Sequence, residues 1–309
     1  MELWDVHSHV GVDQGFNLRR WWPYGATSQD LLLQMNACGI SRGVCFPFTL
    51  PSAFDPYAFA ESGKVELLPG RVPFDRENEN LVAELALVDA ENRLSALACF
   101  DPAREIAGQV KNLEKLVGRV AGLKTQSTVL QSPVRMLIKE SRAIMELAKQ
   151  HGLPVLFHTS LFKGDLWAQV RDCMDVAAEF PTVRFNLAHS LRFGKKYLEE
   201  AAKMPNVWID CSAHLIHCKL ATEKSQLVAS GDEAVDTDYT NPVQVLRDIH
   251  AILGGKYMWG SDNPFMSWCA GNLRAVFTYR QETDVLHALP DAVKQSMGCD
   301  APKKWLYGK

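Results

Sequence analysis

The feature that most limits the fold of this chain is an alternation repeated eight times. Short apolar runs rich in β-branched residues are each followed by a longer stretch of helical period. The runs are Leu3–His9, Arg42–Pro47, Leu94–Phe100, Val120–Lys124, Pro154–His158, Val183–His189, Val207–Cys211 and Tyr257–Ser261. They are apolar almost throughout, as strands covered on both faces are. Ser28 can cap a helix through Asn36, with Gly39 as its stop, and Ser132-Pro133 opens a helix that runs to His151-Gly152. Asn241-Pro242 opens another through Leu253, ended by Gly254-Gly255. Residues 76–90, 103–117, 165–179, 194–203 and 271–281 also carry the helical period. Eight strand–helix units without a break in composition predict an α/β fold, a closed (β/α)8 TIM barrel. It is expected as one domain over residues 1–309, with long βα loops and a short C-terminal helical extension. A doubly wound open sheet is the competing layout, but its G-x-G-x-x-G fingerprint is missing after the first strand.

Composition narrows the function. Hydrophobic residues make up 47% and charged residues 22% of the 309, enough for one large core. The net charge of −3, with no basic cluster, argues against nucleic acid. No run of about 18 apolar residues predicts a membrane span, and no secretory leader is expected before the first strand. The cysteines are scattered and form no C-x-x-C pair; Cys45, Cys99 and Cys211 fall in strands and read as reduced, packed thiols. A cytoplasmic protein is the expectation. Residues 10–27, 48–75 and 212–240 exceed ordinary loop length and all follow strands. In a barrel they lie on the C-terminal face as lids, substrate loops or an oligomer contact.

Several of the apolar strands end in ionisable residues. His7 and His9 close the first, one residue apart and so on one face. Lys124 closes the fourth, His158 the fifth and His189 the sixth, and Asp262 follows the eighth in Gly260-Ser261-Asp262-Asn263-Pro264. A closed barrel brings these ends to one mouth. Imidazole nitrogen and carboxylate oxygen suit Zn²⁺ and related ions, and a catalytic site keeps a position for water, whose pKa the ion lowers to about 7. The aspartate can bind the ion, accept the water's proton, or do both. A further histidine can polarise a carbonyl or shuttle the proton. His151, His250 and His287 read as helical residues, and His214 and His217 as loop residues before substrate contacts. Asp210, inside the seventh strand, reads either as the orienting partner of a ligand or as a satisfied core carboxylate.

The segments Asp5-Val6-His7-Ser8-His9, Gly122-Leu123-Lys124, Phe157-His158, Ala188-His189, Trp259-Gly260-Ser261-Asp262-Asn263-Pro264-Phe265 and the ending Asp300–Gly308 together resemble the amidohydrolase superfamily. The closer resemblance is to the amidohydrolase 2 group of metal-dependent TIM-barrel hydrolases and decarboxylases. It implies that His7, His9 and His158 bind the metal. It also implies that Asp262 is ligand and general base, and that His189 contacts substrate or water or binds a second metal. Relatives often carry a histidine where this chain has Gln126. A strand-4 lysine is carbamylated in two-metal members, so Lys124 is either that bridge or a substrate contact; one Zn²⁺ is the expectation, with Mn²⁺ or a second ion as alternatives. Members of the group often pair, which allows a homodimer.

The first reaction expected is hydrolysis of a small carboxylated lactone, ester or amide by a metal-activated water. Asp262 and His189 are the catalytic residues in this reading. Arg19, Arg20, Trp22, Lys124 and Gln126 are the candidate substrate-binding residues, the arginines for a carboxylate. The alternative is non-oxidative decarboxylation of an aromatic or muconate-type acid. A barrel that holds metal and ligand without turnover is the third reading.

Overall fold

The computed structural model describes residues 1–271 and 273–308. Eight parallel strands form the sheet: β1 (Trp4–Val12), β2 (Arg42–Pro47), β3 (Leu94–Cys99), β4 (Gly122–Thr125), β5 (Val155–Phe157), β6 (Phe185–Leu187), β7 (Val207–Asp210) and β8 (Tyr257–Met258). Each pairs in parallel with the next. The ring closes between β8 and β1 through Val6 N to Trp259 O (3.2 Å), Asp262 N to His7 O (2.8 Å) and His9 N to Asn263 O (2.6 Å). A two-residue strand, Gly25–Ala26, adds antiparallel to the end of β1. The crossovers use α1 (Ser28–Cys38), α2 (Asp75–Val88), α3 (Ile106–Leu116), α4 (Arg142–Gln150), α5 (Val170–Glu179), α6 (Lys195–Lys203), α7 (Pro242–Leu253) and α8 (Tyr279–His287). The fold is the expected TIM barrel.

Alternation along the strands divides the core in two. Val6, Val44, Phe46, Leu97, Leu156 and Met258 pack inside the barrel, while Val155, Phe157, Phe185, Leu187, Val207 and Ile209 pack against the helices. The C-terminal helix Ala301–Tyr307 sends Trp305 into the inner cluster beside Trp4, at the end of the barrel where β1 starts. β1 breaks the simple parity. Its register against β2 shifts between Asp5 and Ser8, and one extra residue there lets both Val6 and His7 face inward. The seam is tight, since a Cβ at Gly260 would lie 2.8 Å from His7 Cβ, so only glycine passes there without displacing the histidine.

Four helical expectations need correction. The cap of α1 is Thr27, whose Oγ1 accepts from Asp30 N at 3.0 Å, and Ser28 is the first helical residue. Of residues 132–152 only α4 is α-helical; Val134–Ile138 winds as a 3₁₀ turn and the backbone leaves helical geometry at Lys139. In residues 165–179 the helix waits until Val170, because Asp165 Oδ1 accepts from Trp167 N (2.9 Å) and Ala168 N (3.1 Å), which fixes a turn instead. Residues 271–281 divide: Leu273–Ala275 pairs with Trp268–Ala270 as a hairpin, and α8 starts only at Tyr279, capped by the Thr278/Gln281 capping box. Residue 272 lies outside the described residues. The long loops also hold helices, Pro56–Ser62 and His214–Thr222. No helix among the described residues is long and apolar enough to cross a membrane.

Candidate active site

The strand ends do converge. His7 Nε2 and His9 Nε2 each lie 3.2 Å from Asp262 Oδ1. The donor atoms of His7, His9 and Asp262 all fall within 4.8 Å of one another, and all three residues are buried. Ligand atoms at the corners of a tetrahedron with bonds of about 2.0–2.1 Å stand roughly 3.4 Å apart, so this spacing fits one small divalent ion. The tautomer of His7 fits as well. Its Nδ1 donates to Asp210 Oδ2 at 3.0 Å, which leaves Nε2 as the donor atom. Burial and Lys124 oppose a proton on His7, but Asp210 and Asp262 outweigh them and hold its pKa above the usual value. The field that favours a proton there favours a metal cation at the same atoms. Burial pushes His9 down to about 4, with Phe46 and Phe265 ring centroids 4.6 and 4.9 Å from its own. Burial alone would raise Asp262, but His7 and His9 hold it well below the usual carboxylate range.

Two carboxylates outside the trio fix its position. Asp210, in β7, also accepts from Asn186 Nδ2 (2.7 Å), Ser212 N (3.0 Å) and His189 N (3.2 Å). Asp5, wholly buried, accepts from His7 N, Ser8 Oγ, Ser261 N, Ser261 Oγ and Tyr279 Oη at 2.6–3.1 Å. It ties the turn that carries Asp262 to β1 and α8. The sequence reading gave Asp5 no role of its own.

His158, expected as a ligand, stands outside the trio because both its ring nitrogens are taken. Its Nδ1 is 2.9 Å from His189 Nε2, and its Nε2 is 3.1 Å from Arg192 Nη2. Arginine only donates, so the chain has one direction. Arg192 donates to His158, His158 donates to His189, and His189 Nδ1 donates to Ser212 O at 3.1 Å, with Asp262 Oδ2 at 3.9 Å. Arg192 also donates to His217 Nε2, and through Nε to Thr159 O at 2.8 Å. Burial, then the guanidinium charge, holds His158, His189 and His217 well below their usual values, so all three are neutral. Burial brings Arg192 down to about 10, which leaves it a cation at neutral pH.

Arg192 escaped the sequence reading, and the backbone explains why. His189 through Phe193 all have positive φ, from 46° to 66°, and none is glycine. L-residues avoid that region, so such a run is strained. The strained turn brings His189 and Arg192 to one wall, where a reading of periodicity saw only the approach to α6. The nearest signal in the sequence was an arginine three residues after a strand-end histidine.

The mouth encloses a cavity of about 380 Å³ lined by His9, His158, His189, Arg192, His217 and Asp262, with Phe162, Phe265 and Trp268 among its apolar walls. Gln126 lines it too, its Oε1 accepting from Val129 N at 2.9 Å. Lys124 lies beneath, with Nζ 3.4 Å from His7 Nε2 and 4.8 Å from the centre of the Phe46 ring; burial lowers it to about 8. Arg19, Arg20 and Trp22 are not among the lining residues. Arg19 is held between Trp21 and Phe59, each ring centre 4.7 Å from its guanidinium carbon. Arg20 and Trp22 are exposed, and Trp22 spends its backbone groups on Cys269 of the hairpin. The expectation that the arginine pair faces a substrate is corrected: aromatic neighbours and solvent claim those side chains, and the cation in the wall is Arg192.

A protein-family model described as Amidohydrolase, of the amidohydrolase 2 type, matches residues 50–307. The chain belongs to the amidohydrolase 2 family. His7 and His9 lie before the matched span. Among solved structures, 2,6-dihydroxybenzoate decarboxylase complexed with 2,6-dihydroxybenzoate is similar at 13% identity and a TM-score of 0.65, covering 99% of this chain and 98% of that one. A probable 2-pyrone-4,6-dicarboxylic acid hydrolase from Acinetobacter baumannii, with citric acid bound, is 15% identical at a TM-score of 0.60, with all of both chains covered. An amidohydrolase from Burkholderia multivorans with bound zinc is 13% identical at a TM-score of 0.62, covering 99% of each chain. A comparison with curated protein sequences finds no match. Its fold is thus shared with a decarboxylase and with a probable hydrolase.

Proposed function

We propose that this protein is a metal-dependent hydrolase of a small carboxylated lactone, ester or amide. His7, His9 and Asp262 would hold one divalent ion, Zn²⁺ first among the candidates. When bound, the ion supplies Lewis acidity to a substrate oxygen and acidity to a water. The observation that carries the reading is Asp262. One of its oxygens is shared by two imidazoles and the other faces His189 at 3.9 Å, and the residue lines an otherwise largely apolar cavity. As an ionised carboxylate it accepts the proton of the attacking water, whose oxygen bonds to the acyl carbon. It then returns that proton to the leaving oxygen or nitrogen as the acyl bond breaks. His189 stays neutral, its Nδ1 held by Ser212 O at 3.1 Å, and faces this exchange from 3.9 Å without a hydrogen bond to Asp262. Lys124 steadies His7 from below, and Gln126 meets the substrate from β4.

Decarboxylation of an aromatic acid is the second reading, favoured by the aromatic walls around Phe265 and Trp268 and by the decarboxylase among the solved relatives. Elemental analysis of the purified protein, with product analysis on a panel of lactones and aromatic carboxylates, separates them. The proposal expects about one ion per chain and release of acid from a lactone. Carbon dioxide without acid release supports the second reading, and protein that turns over with no ion refutes the metal assignment.

A further inference from the structure

Arg192 is a cation in the cavity wall with no carboxylate in direct contact among the described residues, although Asp262, Asp165 and Asp210 favour its charge from further off. Among the described residues no Asp or Glu oxygen comes within 4.0 Å of it. The two carboxylates that line the cavity are engaged elsewhere. Asp262 faces His7 and His9, and Asp165 accepts from Thr128 Oγ1 at 2.6 Å and from Trp167 N and Ala168 N. The partners of Arg192 are all neutral: the Nε2 atoms of His158 and His217, and Thr159 O. A guanidinium has five N–H groups. Three are used here, so two remain, one on each Nη. Taking a charge out of water without a contacting counter-charge is unfavourable, and the fold holds this one in a strained turn from His189 to Phe193.

We infer that Arg192, held by His158 and His217, is the specificity-determining residue that receives the substrate carboxylate. Its two remaining N–H groups suit the two oxygens of one carboxylate. The ligand class is therefore a flat monoanion, with its ring between the aromatic walls and its labile bond toward Asp262. This rests on the reading of the cavity as the substrate site, and it puts Arg192 in the role expected of Arg19 and Arg20. His158 and His217 are positioning residues, since they act on the ligand through the guanidinium.

Benzoate and benzamide test it, since they share a shape and differ in charge. Each is titrated calorimetrically into purified wild type, Arg192→Met and Arg192→Lys, with metal content measured on every sample. The wild type is expected to bind benzoate at least tenfold more tightly than benzamide. Arg192→Met is expected to lose at least tenfold for benzoate, with benzamide affinity and metal content unchanged, and Arg192→Lys to keep part of the preference, because it retains charge without the planar fork. Wild type that does not distinguish the two probes overturns the inference, even if neither variant folds. So does Arg192→Met that binds benzoate as wild type does, the result expected if the ion alone captures the anion. Wild type stripped by a chelator separates the two proposals. A benzoate preference that survives stripping supports Arg192, and one that vanishes with the ion overturns it. Absence of a stoichiometric ion in the untreated protein sinks the metal reading and leaves these comparisons readable.

Discussion

The two walls of this mouth hold similar side chains by different means. On the β8–β1 side, His7 and His9 sit at the bulged end of β1 and Asp262 in the turn after β8, a single residue of positive φ (63°), and all three are braced by Asp5 and Asp210, two buried carboxylates that each accept several hydrogen bonds. On the β5–β6 side, His158, His189 and Arg192 depend on one another and on five residues of left-handed backbone. The first wall is anionic and gathers its donors within reach of one cation. The second is cationic, its imidazoles kept neutral by burial and by the guanidinium. Imidazole alone therefore does not define a metal site. What each ring's second nitrogen touches decides whether it offers a lone pair to a cation or passes a hydrogen bond along.

The sharpest way to break this contrast is to remove the anion on the first wall. Asp262→Asn is expected to lower kcat/KM by about 10²–10⁴-fold and to lose most of the bound ion, with the far-UV circular dichroism unchanged. Full ion content in that variant would show that the trio does not hold it. His158→Ala comes next. It is expected to keep the ion, since both nitrogens of His158 are engaged by His189 and Arg192, and to lose about 1–3 kcal/mol of stability in chemical denaturation from the partners left unpaired. Loss of the ion in His158→Ala would move the fifth-strand histidine into the ligand set and erase the difference between the walls.

That same contrast separates what the sequence could reveal from what it could not. The strands announced themselves because a strand buried on both faces is apolar along its length, and an ionisable residue at its end then stands out, as His158, His189 and Asp262 do. The His7/His9 pair was legible through the period of two, although the register shift between Asp5 and Ser8 that turns Val6 and His7 inward together was not. Asp5 and Arg192 were missed because their importance lies in partners distant along the chain: Ser261 and Tyr279 for one, His158 and His217 for the other. The Arg19–Trp22 run misled because its composition suits a carboxylate pocket, and nothing local shows that Phe59 will claim the Arg19 guanidinium. The helix read over 271–281 failed because hairpin pairing with Trp268–Ala270 outweighs helical period in a segment this short.

Acid titration probes the buried imidazoles of both walls, since His9 on the first is also pushed down, to about 4. His158, His189, His214 and His217 all have folded pKa values below the usual imidazole value, His214 at about 4, with burial the largest cause in each. The unfolded chain therefore binds more protons than the folded one once the pH falls below about 6.5, and stability must fall with pH in that window. Each imidazole contributes up to about 1.4 kcal/mol per pH unit between its unfolded and folded values. His7, held above its usual value, works in the opposite direction and offsets part of the loss. Thermal unfolding followed from pH 7 to 4 is expected to show a progressive fall in Tm beginning near pH 6.5. A Tm that is flat to pH 5 would mean that these rings are hydrated and charged, and the neutral chain from Arg192 to His189 would be wrong.

The smallest expected effect tests the edge of the site. Trp22 is 45% exposed, lies outside the cavity lining, and joins the hairpin after β8 through its backbone N–H and carbonyl. Trp22→Ala keeps both backbone bonds and removes a side chain that water already reaches, so stability is expected to change by no more than about 0.5 kcal/mol and KM by less than a factor of two. Its neighbour in space, Trp268, lines the cavity and packs against Phe265 with ring centroids 5.4 Å apart. An isolated bridge, Trp22 to Cys269, ties Trp22 to the strand that carries Trp268, yet only Trp268 lines the cavity. Should Trp22→Ala raise KM several-fold, the loop over residues 10–27 must fold inward when substrate binds, and the boundary between wall and rim would have to be drawn one layer further out.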